Sequence, residues 1–388
     1  MAITDTPKVI YSEADSNPTL KGTGSQIPVF IGITGNTTPA EGILKIKNFK
    51  EANRSVANGG IGTSIDTNPL LKAVKEFFEE VRKVTSSDIT APYIYVVDLG
   101  NATLSSGEGE NKKVTQAWLD AMEAVKAKRD VQVEAYVGFK KTDALTDVIA
   151  LMESAVESIK LDAATGNPRI AYYTIQGATD EDLKDFTDET NGIQNTRDIL
   201  IEPKCFGKTI GRICTTPSDV EVGFIDFRSI KPGEFNKRTP AEELDLQNAG
   251  IIFIRDEIAG SEIHTRINLG VSTAFAAQPD LRPNDALLHA RRNVDQLVRE
   301  VYDALYVQLK RNETEVNLSY LQSDIDVIVE EKINNGSMMD GTVLDVVESD
   351  INPWDLKVEG VAVPVNSTLS IGFSLYIESP NATVTGGE

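Results

Sequence analysis

Apolar residues in the first part of the chain follow two different periods, and this alternation predicts an α/β fold. Short apolar runs at 27–32 and 93–98 are typical of buried strands. Between them, residues 69–81 carry apolar side chains at helical spacing. Asn68 and Pro69 precede that run, and they suit the cap and the first position of a helix. Strands that alternate with helices are typical of α/β architecture.

The same alternation continues through the middle of the chain, without an internal repeat or a low-complexity segment. Polar loops that contain Gly or Pro separate the predicted elements. The pattern predicts helices at about 113–129, 143–161 and 180–190, and strands at 131–137, 170–175, 208–214 and 220–226.

A second apolar centre begins at residue 251. Two hairpin strands are predicted at 251–254 and 263–271, followed by a long helix at 284–311 with one apolar stripe. A further helix at about 315–335 ends at an Asn-Asn-Gly stop signal. Near the end of the chain, five apolar residues alternate with small or polar ones and predict a strand: Leu369, Ile371, Phe373, Leu375 and Ile377.

These patterns predict mixed open sheets with flanking helices, in four parts. Residues 1–25 form an arm with one strand-sized patch at Val9, Ile10 and Tyr11. We expect two α/β domains, at 26–250 and 251–356, and a C-terminal β-arm at 357–388.

Charge narrows the possible partners. The formal net charge is -21, and residues 312–388 hold fourteen acidic residues against two basic ones. Nucleic acids and anionic membranes are polyanions that bind through Lys and Arg, so we expect neither as a direct partner.

No apolar run reaches the roughly 18 residues that a membrane-spanning helix needs. The start of the chain lacks the features of a signal peptide, and two isolated cysteines favour a reducing compartment, so we expect assembly in a cytoplasm.

Motifs that would carry chemistry are incomplete. Residues 205–209 end like a phosphate-binding loop, but Glu202 stands where its first Gly belongs, and the run is predicted to lie between strands. Residues 60–65 lack the third Gly of a dinucleotide fingerprint. We therefore expect no cofactor.

Isolated reactive residues favour structural roles. His264 and His289 lack metal-ligand spacing, and Cys205 and Cys214 are expected to be small buried residues. The acidic pairs at 324–326 and 330–331 are expected on a solvated face.

The long helix at 284–311 carries a basic side. Residues 281–311 contain six bases and four acids, and Arg291, Arg292 and Arg299 lie opposite the apolar stripe. This basic side is predicted either to contact an acidic partner or to remain a solvated helix face.

The order of elements resembles the tail sheath family of contractile injection machines, which includes phage and archaeal-virus tails and tailocins. The resemblance begins with an arm strand led by Pro7, followed by Phe30-Ile31-Gly32, a polar turn, and a strand with a helix at 42–57. The aromatic-rich helix at 69–81 and the strand at 93–98 follow in the family's order. In the second half, a strand leads to residues 270–273, and Arg292 to Leu297 resembles the Arg-x-x-Asp-x-Ile helix of the family. Residues 100–250 match only in style, and Tyr306 to Asn312 lacks the family's Gly.

The resemblance implies a structural protein and not an enzyme. It implies hexameric rings stacked helically around a tail tube protein, contact with baseplate and tail terminator proteins, and a place in a virion. Residues 26–250 would be the outer domain and 251–356 the tube-facing domain. The two arms would join subunits, and Arg291, Arg292 and Arg299 would face the tube.

Two other readings of the sequence stay open. One is an α/β enzyme or nucleotide-binding protein whose site uses an unrecognised motif. The other is a virion or surface-layer protein that assembles through similar arms without contracting.

Overall fold

A computed structural model of the protein describes most of the chain. The described residues are 9–11, 26–82, 93–107, 113–163, 166–190, 192–218, 220–235, 238–259, 262–277, 286–309, 318–334, 336, 338–348, 356–363 and 365. The predicted strand at 369–377 lies outside them.

A seven-stranded sheet forms the centre of the molecule. Six strands are parallel, and β3 pairs antiparallel with β4 at one edge. The order across the sheet is β10-β9-β8-β7-β2-β4-β3. The strands are β2 (Ile27–Gly32), β3 (Ile43–Ile46), β4 (Ile94–Asp98), β7 (Val131–Lys140), β8 (Ile170–Gln176), β9 (Asp198–Ile201) and β10 (Ile251–Ile252).

Helices cover both faces of this sheet, because its strands are apolar on both sides. One core contains α2 and α6, and the other contains α3 and α4. Side chains of β2 alternate between the two cores, with Phe30 in the first and Val29 in the second. The helices of this part are α1 (Phe49–Ala52), α2 (Pro69–Val81), α3 (Gln116–Lys126), α4 (Leu145–Ala163), α5 (Asp180–Asp185), α6 (Phe206–Cys214) and α7 (Pro240–Asn248).

A smaller unit follows in the chain. Helices α8 (Leu288–Leu309) and α9 (Leu318–Asn334) pack beside a three-stranded sheet of order β1-β14-β13. Helix α8 belongs to both units, because Leu288 lies in a core of the large sheet and Leu305 lies in the small core. The remaining strands are β1 (Val9–Tyr11), β5 (Ser105–Ser106), β6 (Lys113–Val114), β11 (Ile254–Ala259), β12 (Glu262–Ile267), β13 (Val343–Glu348) and β14 (Leu356–Val361).

The predicted mixed α/β architecture is confirmed, with corrections to particular elements. Residues 208–214 lie in helix α6 and not in a strand, because Phe206, Ile210 and Ile213 recur at helical spacing and are buried. Residues 222–224 form a 3-10 turn where a strand was predicted. Helix α7 was missed, although Thr239 and Glu242 form the capping box that marks its start.

The predicted boundary at residue 250 does not divide the core. Strand β10 completes the large sheet by pairing with β9, and the first core extends from Phe30 to Ala290. The change to the small core comes within α8. Residues 357–361 of the predicted C-terminal arm belong to β14, which pairs with β13 of the same chain.

One buried carboxyl lies under α4. Asp198 begins β9 and is fully buried on the same strand face as Leu200. Burial raises the pKa of the Asp198 carboxyl well above its ordinary value of 3.8, and the Tyr173 hydroxyl and the charge of Lys160 oppose this only in part. A carboxyl with a raised folded-state pKa contributes most stability below its unfolded-state pKa, and the contribution is lost as the pH rises toward the folded value.

We therefore predict that Asp198→Asn removes a source of pH dependence. The free energy of unfolding of the variant should increase relative to the parent chain as the pH rises from about 4 to about 7. Urea unfolding across this range measures the difference. Parallel pH profiles for the two chains would contradict the assignment.

Candidate functional site

The residues that resemble a phosphate-binding loop do open a helix, contrary to the sequence-based prediction. Cys205 precedes α6 with a φ of 61°, and the chain enters the helix at Phe206. The Gly207 N–H donates to the Glu76 carboxylate at 3.1 Å. A carboxylate therefore occupies the end of the helix where a phosphate would bind, which stabilises the helix dipole and leaves no anion site.

The glycines of this run serve helix packing instead. Gly207 and Gly211 lie one turn apart on α6 and face the backbone of α2. A Cβ at Gly207 would lie 2.0 Å from the Ala73 carbonyl oxygen, and one at Gly211 would lie 3.1 Å from the Phe77 carbonyl oxygen. The missing side chains let the two helices approach closely.

The cysteines and histidines also have structural surroundings. Burial raises the pKa of Cys205 to about 11 and that of Cys214 to about 12, so neither thiol is ionised at neutral pH.

Both histidines lie beside carboxylates. His289 is buried, and its Nδ1 lies 2.8 Å from Glu221, whose other oxygen accepts from the Gly270 N–H. His264 lies 2.8 Å from Asp226. Across the described ranges, no group of three or more His, Cys, Asp or Glu residues is placed to hold a metal ion.

Arg291 and Arg292 are buried, which overturns the prediction that they form a basic surface. Their exposed fractions are 3% and 1%. Arg291 donates to Asp295 at 2.8 Å, and Asp295 also accepts from Arg197 at 3.0 Å. Two guanidinium groups thus share one carboxylate inside the protein.

Arg292 binds the end of helix α6. Its guanidinium donates to the carbonyl oxygen of Ile213 at 3.2 Å and to that of Thr216, and it also donates to the Gln26 side chain at 3.2 Å. The last carbonyl groups of a helix have no partner within the helix. Arg292 therefore supplies a positive C-terminal cap for α6 from a distant part of the chain.

Arg299 binds carbonyl groups at the amino end of a strand in the large sheet. It donates to the carbonyl oxygens of Arg129 and Val131, each at 2.8 Å, and to that of Pro168. Val131 begins β7, so the contact fixes α8 to the amino end of a central strand. The amphipathic pattern did identify the face of α8 that carries the arginines. That face packs against carboxylate and carbonyl oxygens of the same chain, and of the three arginines only Arg299 is partly exposed.

The N-terminal strand pairs within its own chain. Strand β1, which contains Val9, Ile10 and Tyr11, runs parallel to β14, with Val9 opposite Leu356 and Tyr11 opposite Val358. This places residues 9–11 and 356–361 in one sheet.

The small sheet has an open face. Leu344 is buried against α9, while Val343 and its partner Val361 are 54% and 45% exposed. Asp345 and Glu359 are also register partners on that exposed face. Within the described part of the chain, β13 has β14 as its single neighbour, so its outer edge is unpaired. An unpaired edge can accept a strand from another chain.

Membrane insertion through a helix is not indicated by this part of the structure. Among the described residues, no helix combines the length and the apolar character that crossing a bilayer requires.

We predict that Gly207→Ala lowers the free energy of unfolding by about 2 kcal/mol, because the added methyl group would clash with the Ala73 carbonyl group in the backbone of α2. The matched variant Gly211→Ala should stay within about 1 kcal/mol of the parent chain, since its contact is looser and Ala favours the helix. Urea unfolding of both variants tests the pair. Equal effects would contradict the packing role of Gly207.

We predict that Arg292→Leu lowers the free energy of unfolding by about 3 kcal/mol or more, because buried carbonyl groups lose their donor. The exposed Arg82, at the end of α2, provides a control, and Arg82→Ala should change stability by less than about 0.5 kcal/mol. Thermal unfolding followed by circular dichroism compares the two. If Arg292 instead faced solvent, Arg292→Leu and Arg82→Ala would both change the free energy of unfolding by a similarly small amount.

Sequence comparison identifies no relative: no family model matches the chain, and no curated protein sequence matches it. Solved structures do match. The chain is similar to the helical sheath of the anti-feeding prophage in its contracted state, with 10% identity and a TM-score of 0.62 over 97% of this chain and 100% of that one. It is also similar to the contracted sheath complex of PVC, an extracellular contractile injection system, with 11% identity and a TM-score of 0.61 over 97% and 99%.

A crystal structure from a bacterium gives a third match. The sheath tail protein of Desulfitobacterium hafniense shares 12% identity and a TM-score of 0.54 with this chain, over 92% of this chain and 100% of that one. At such identities the likeness concerns the fold. The resemblance seen in the sequence is confirmed at that level: this chain has the fold of the sheath proteins of contractile injection systems along nearly its whole length.

Proposed function

We propose that the protein is a structural sheath subunit, which polymerises as stacked rings around an inner tube and contracts to drive the tube through a host envelope. The observation that carries this proposal is the match to the anti-feeding prophage sheath over 97% of this chain and 100% of that one. Because both chains are covered almost completely, the likeness is not confined to a widespread α/β core.

The contents of the fold support a structural role over a catalytic one. Of the described thiols, Cys214 is buried and Cys205 is partly buried. The histidines lie beside carboxylates, and the Glu76 carboxylate accepts from the Gly207 N–H in the phosphate-like run. An α/β enzyme or nucleotide-binding protein needs an accessible reactive group or an anion site. Neither the thiols nor the phosphate-like run supplies one.

The arms are proposed to join subunits. Strand β1 lies at one edge of the small sheet and β13 at the other. In an assembly, the predicted strand at 369–377 would add to such an edge in a neighbouring subunit, because backbone hydrogen bonds tolerate different side chains. Residues 251–356 remain the proposed tube-facing part. Arg291 and Arg292 are left out because they are buried, and Arg299 because its guanidinium binds carbonyl groups of its own chain.

The proposed partners are other copies of this chain in hexameric rings, a tail tube protein, and baseplate and tail terminator proteins. The particle would be a virion or a related injection machine assembled in a host cytoplasm. No cofactor or nucleic acid enters the scheme.

Negative-stain electron microscopy of the purified chain tests the proposal. We expect striated tubes or six-fold rings from the full chain, whereas a chain ending at residue 365 should stay folded and fail to polymerise, since it lacks the terminal strand. Circular dichroism verifies that the shortened chain is folded. Globular particles from the full chain under all conditions would contradict the sheath role, and tubes from the shortened chain would contradict the arm.

A further inference from the structure

All charged side chains exposed on helix α9 are acidic. Helix α9 buries Leu321 and Ile325, and its only base, Lys332, is also buried and donates to Glu300 at 2.6 Å. Every exposed charge on this helix is therefore negative. We call the exposed side the acidic face of α9, and it contains Tyr320, Asp324, Val327, Glu330 and Glu331.

Two large apolar side chains lie within this acidic face. Tyr320 and Val327 are 72% and 61% exposed, and their separation of two helical turns places them on one stripe. Exposed apolar groups surrounded by charge are typical of a protein contact, where the apolar centre loses water and the charged rim selects the partner.

A surface of opposite charge lies at the edge of the large sheet. Strand β3 is an edge strand, and α1 follows it closely. This segment exposes four bases, which we call the basic edge: Lys45, Lys47, Lys50 and Arg54.

The basic edge is poorly neutralised within the chain. The one acid within residues 45–54, Glu51, accepts from the Lys47 N–H at 2.7 Å and from the Asn48 side chain at 3.1 Å, so its carboxylate is engaged at the start of α1. Among the described residues, no carboxylate forms an ion pair with Lys47, Lys50 or Arg54. Their side chains are available to a partner.

We propose that the acidic face of α9 in one copy of this chain binds the basic edge of a second copy. The partner is identified by charge complementarity: the acidic face requires a basic surface, and the chain itself provides one. Within the described part of one chain, no ion pair joins the two surfaces. Because the surfaces differ, the contact is head-to-tail and leaves one free surface at each end. Such contacts generate rings or helical filaments.

This contact addresses how a chain with net charge -21 can associate with itself. Two copies repel each other at long range, and the repulsion has to be overcome locally. Opposite charges on the acidic face and the basic edge overcome this repulsion where the two copies meet, and they also fix the relative orientation of the copies. The inference rests on the proposed assembly role but names its own surfaces, so it can be tested separately.

The test reverses charge on each surface and then on both. Glu330→Lys with Glu331→Lys alters the acidic face, and Lys47→Glu with Lys50→Glu alters the basic edge. Sedimentation velocity over a range of concentrations measures self-association of the full-length chains. We expect each double variant to associate at least tenfold more weakly. The quadruple variant, whose net charge equals that of the parent chain, should recover to within about threefold.

Controls separate local contact from total charge. Glu153→Lys with Glu157→Lys changes the net charge by the same amount as the acidic-face variant, at exposed positions on α4, and should not weaken association. Raising the salt concentration should weaken association of the parent chain, because screening acts on exposed pairs. Thermal unfolding verifies that every variant is folded.

The outcomes divide cleanly. Unchanged association in either double variant, or no recovery in the quadruple variant, would overturn the proposed contact, as would a parent chain that stays monomeric. Charge-compensated oligomers that never form rings or tubes would support the contact and contradict the sheath role.

Discussion

The architecture depends on the burial of positive charge along helix α8. A buried guanidinium is costly unless its donors are satisfied, and here backbone carbonyl groups and Asp295 satisfy them. The fork of an Arg side chain can reach several oxygens in fixed directions, which a Lys ammonium does less well. Arg292 illustrates the constraint. Its guanidinium reaches the end of α6 only if α8 has one position along α6 and one rotation about its own axis. The arginines therefore fix the position of the helix more narrowly than apolar packing alone.

The position of α8 then determines that of the small unit. Its first turns pack into a core of the large sheet through Leu288 and Ala290, and its later turns pack against α9 through Leu297, Val301 and Leu305. Arg299 ties the same helix to the start of β7. One continuous helix thus connects the small sheet, where β1 and β14 pair, to the central strands. In the proposed sheath subunit, this helix would carry force from the arms to the body.

Much of the fold was predictable because strong periodic signals coincide with buried elements. The strand at 27–32 and the helix at 69–81 appear where their patterns place them. Helix α6 was assigned to a strand because its short apolar run fits either period, and the Gly pair that permits its contact with α2 has meaning only once the two helices are adjacent. Likewise, the sequence identifies a basic side of α8, but whether that side meets water or carbonyl groups depends on the ends of elements that are distant in the chain.

The proposed assembly has two kinds of contact with different physical behaviour: a strand added to a sheet edge, and a contact between surfaces of opposite charge. A strand added to a sheet edge is held by backbone hydrogen bonds, which salt screens little and which keep their register. A contact between an acidic helix face and a basic edge is exposed, screened by salt, and weak for each pair of charges. In a lattice that contains both, the strands keep neighbouring copies connected while the charged contacts open and reform. Because the charged contacts are the weaker of the two, a change of lattice in the proposed assembly would occur mainly between copies, at their charged surfaces.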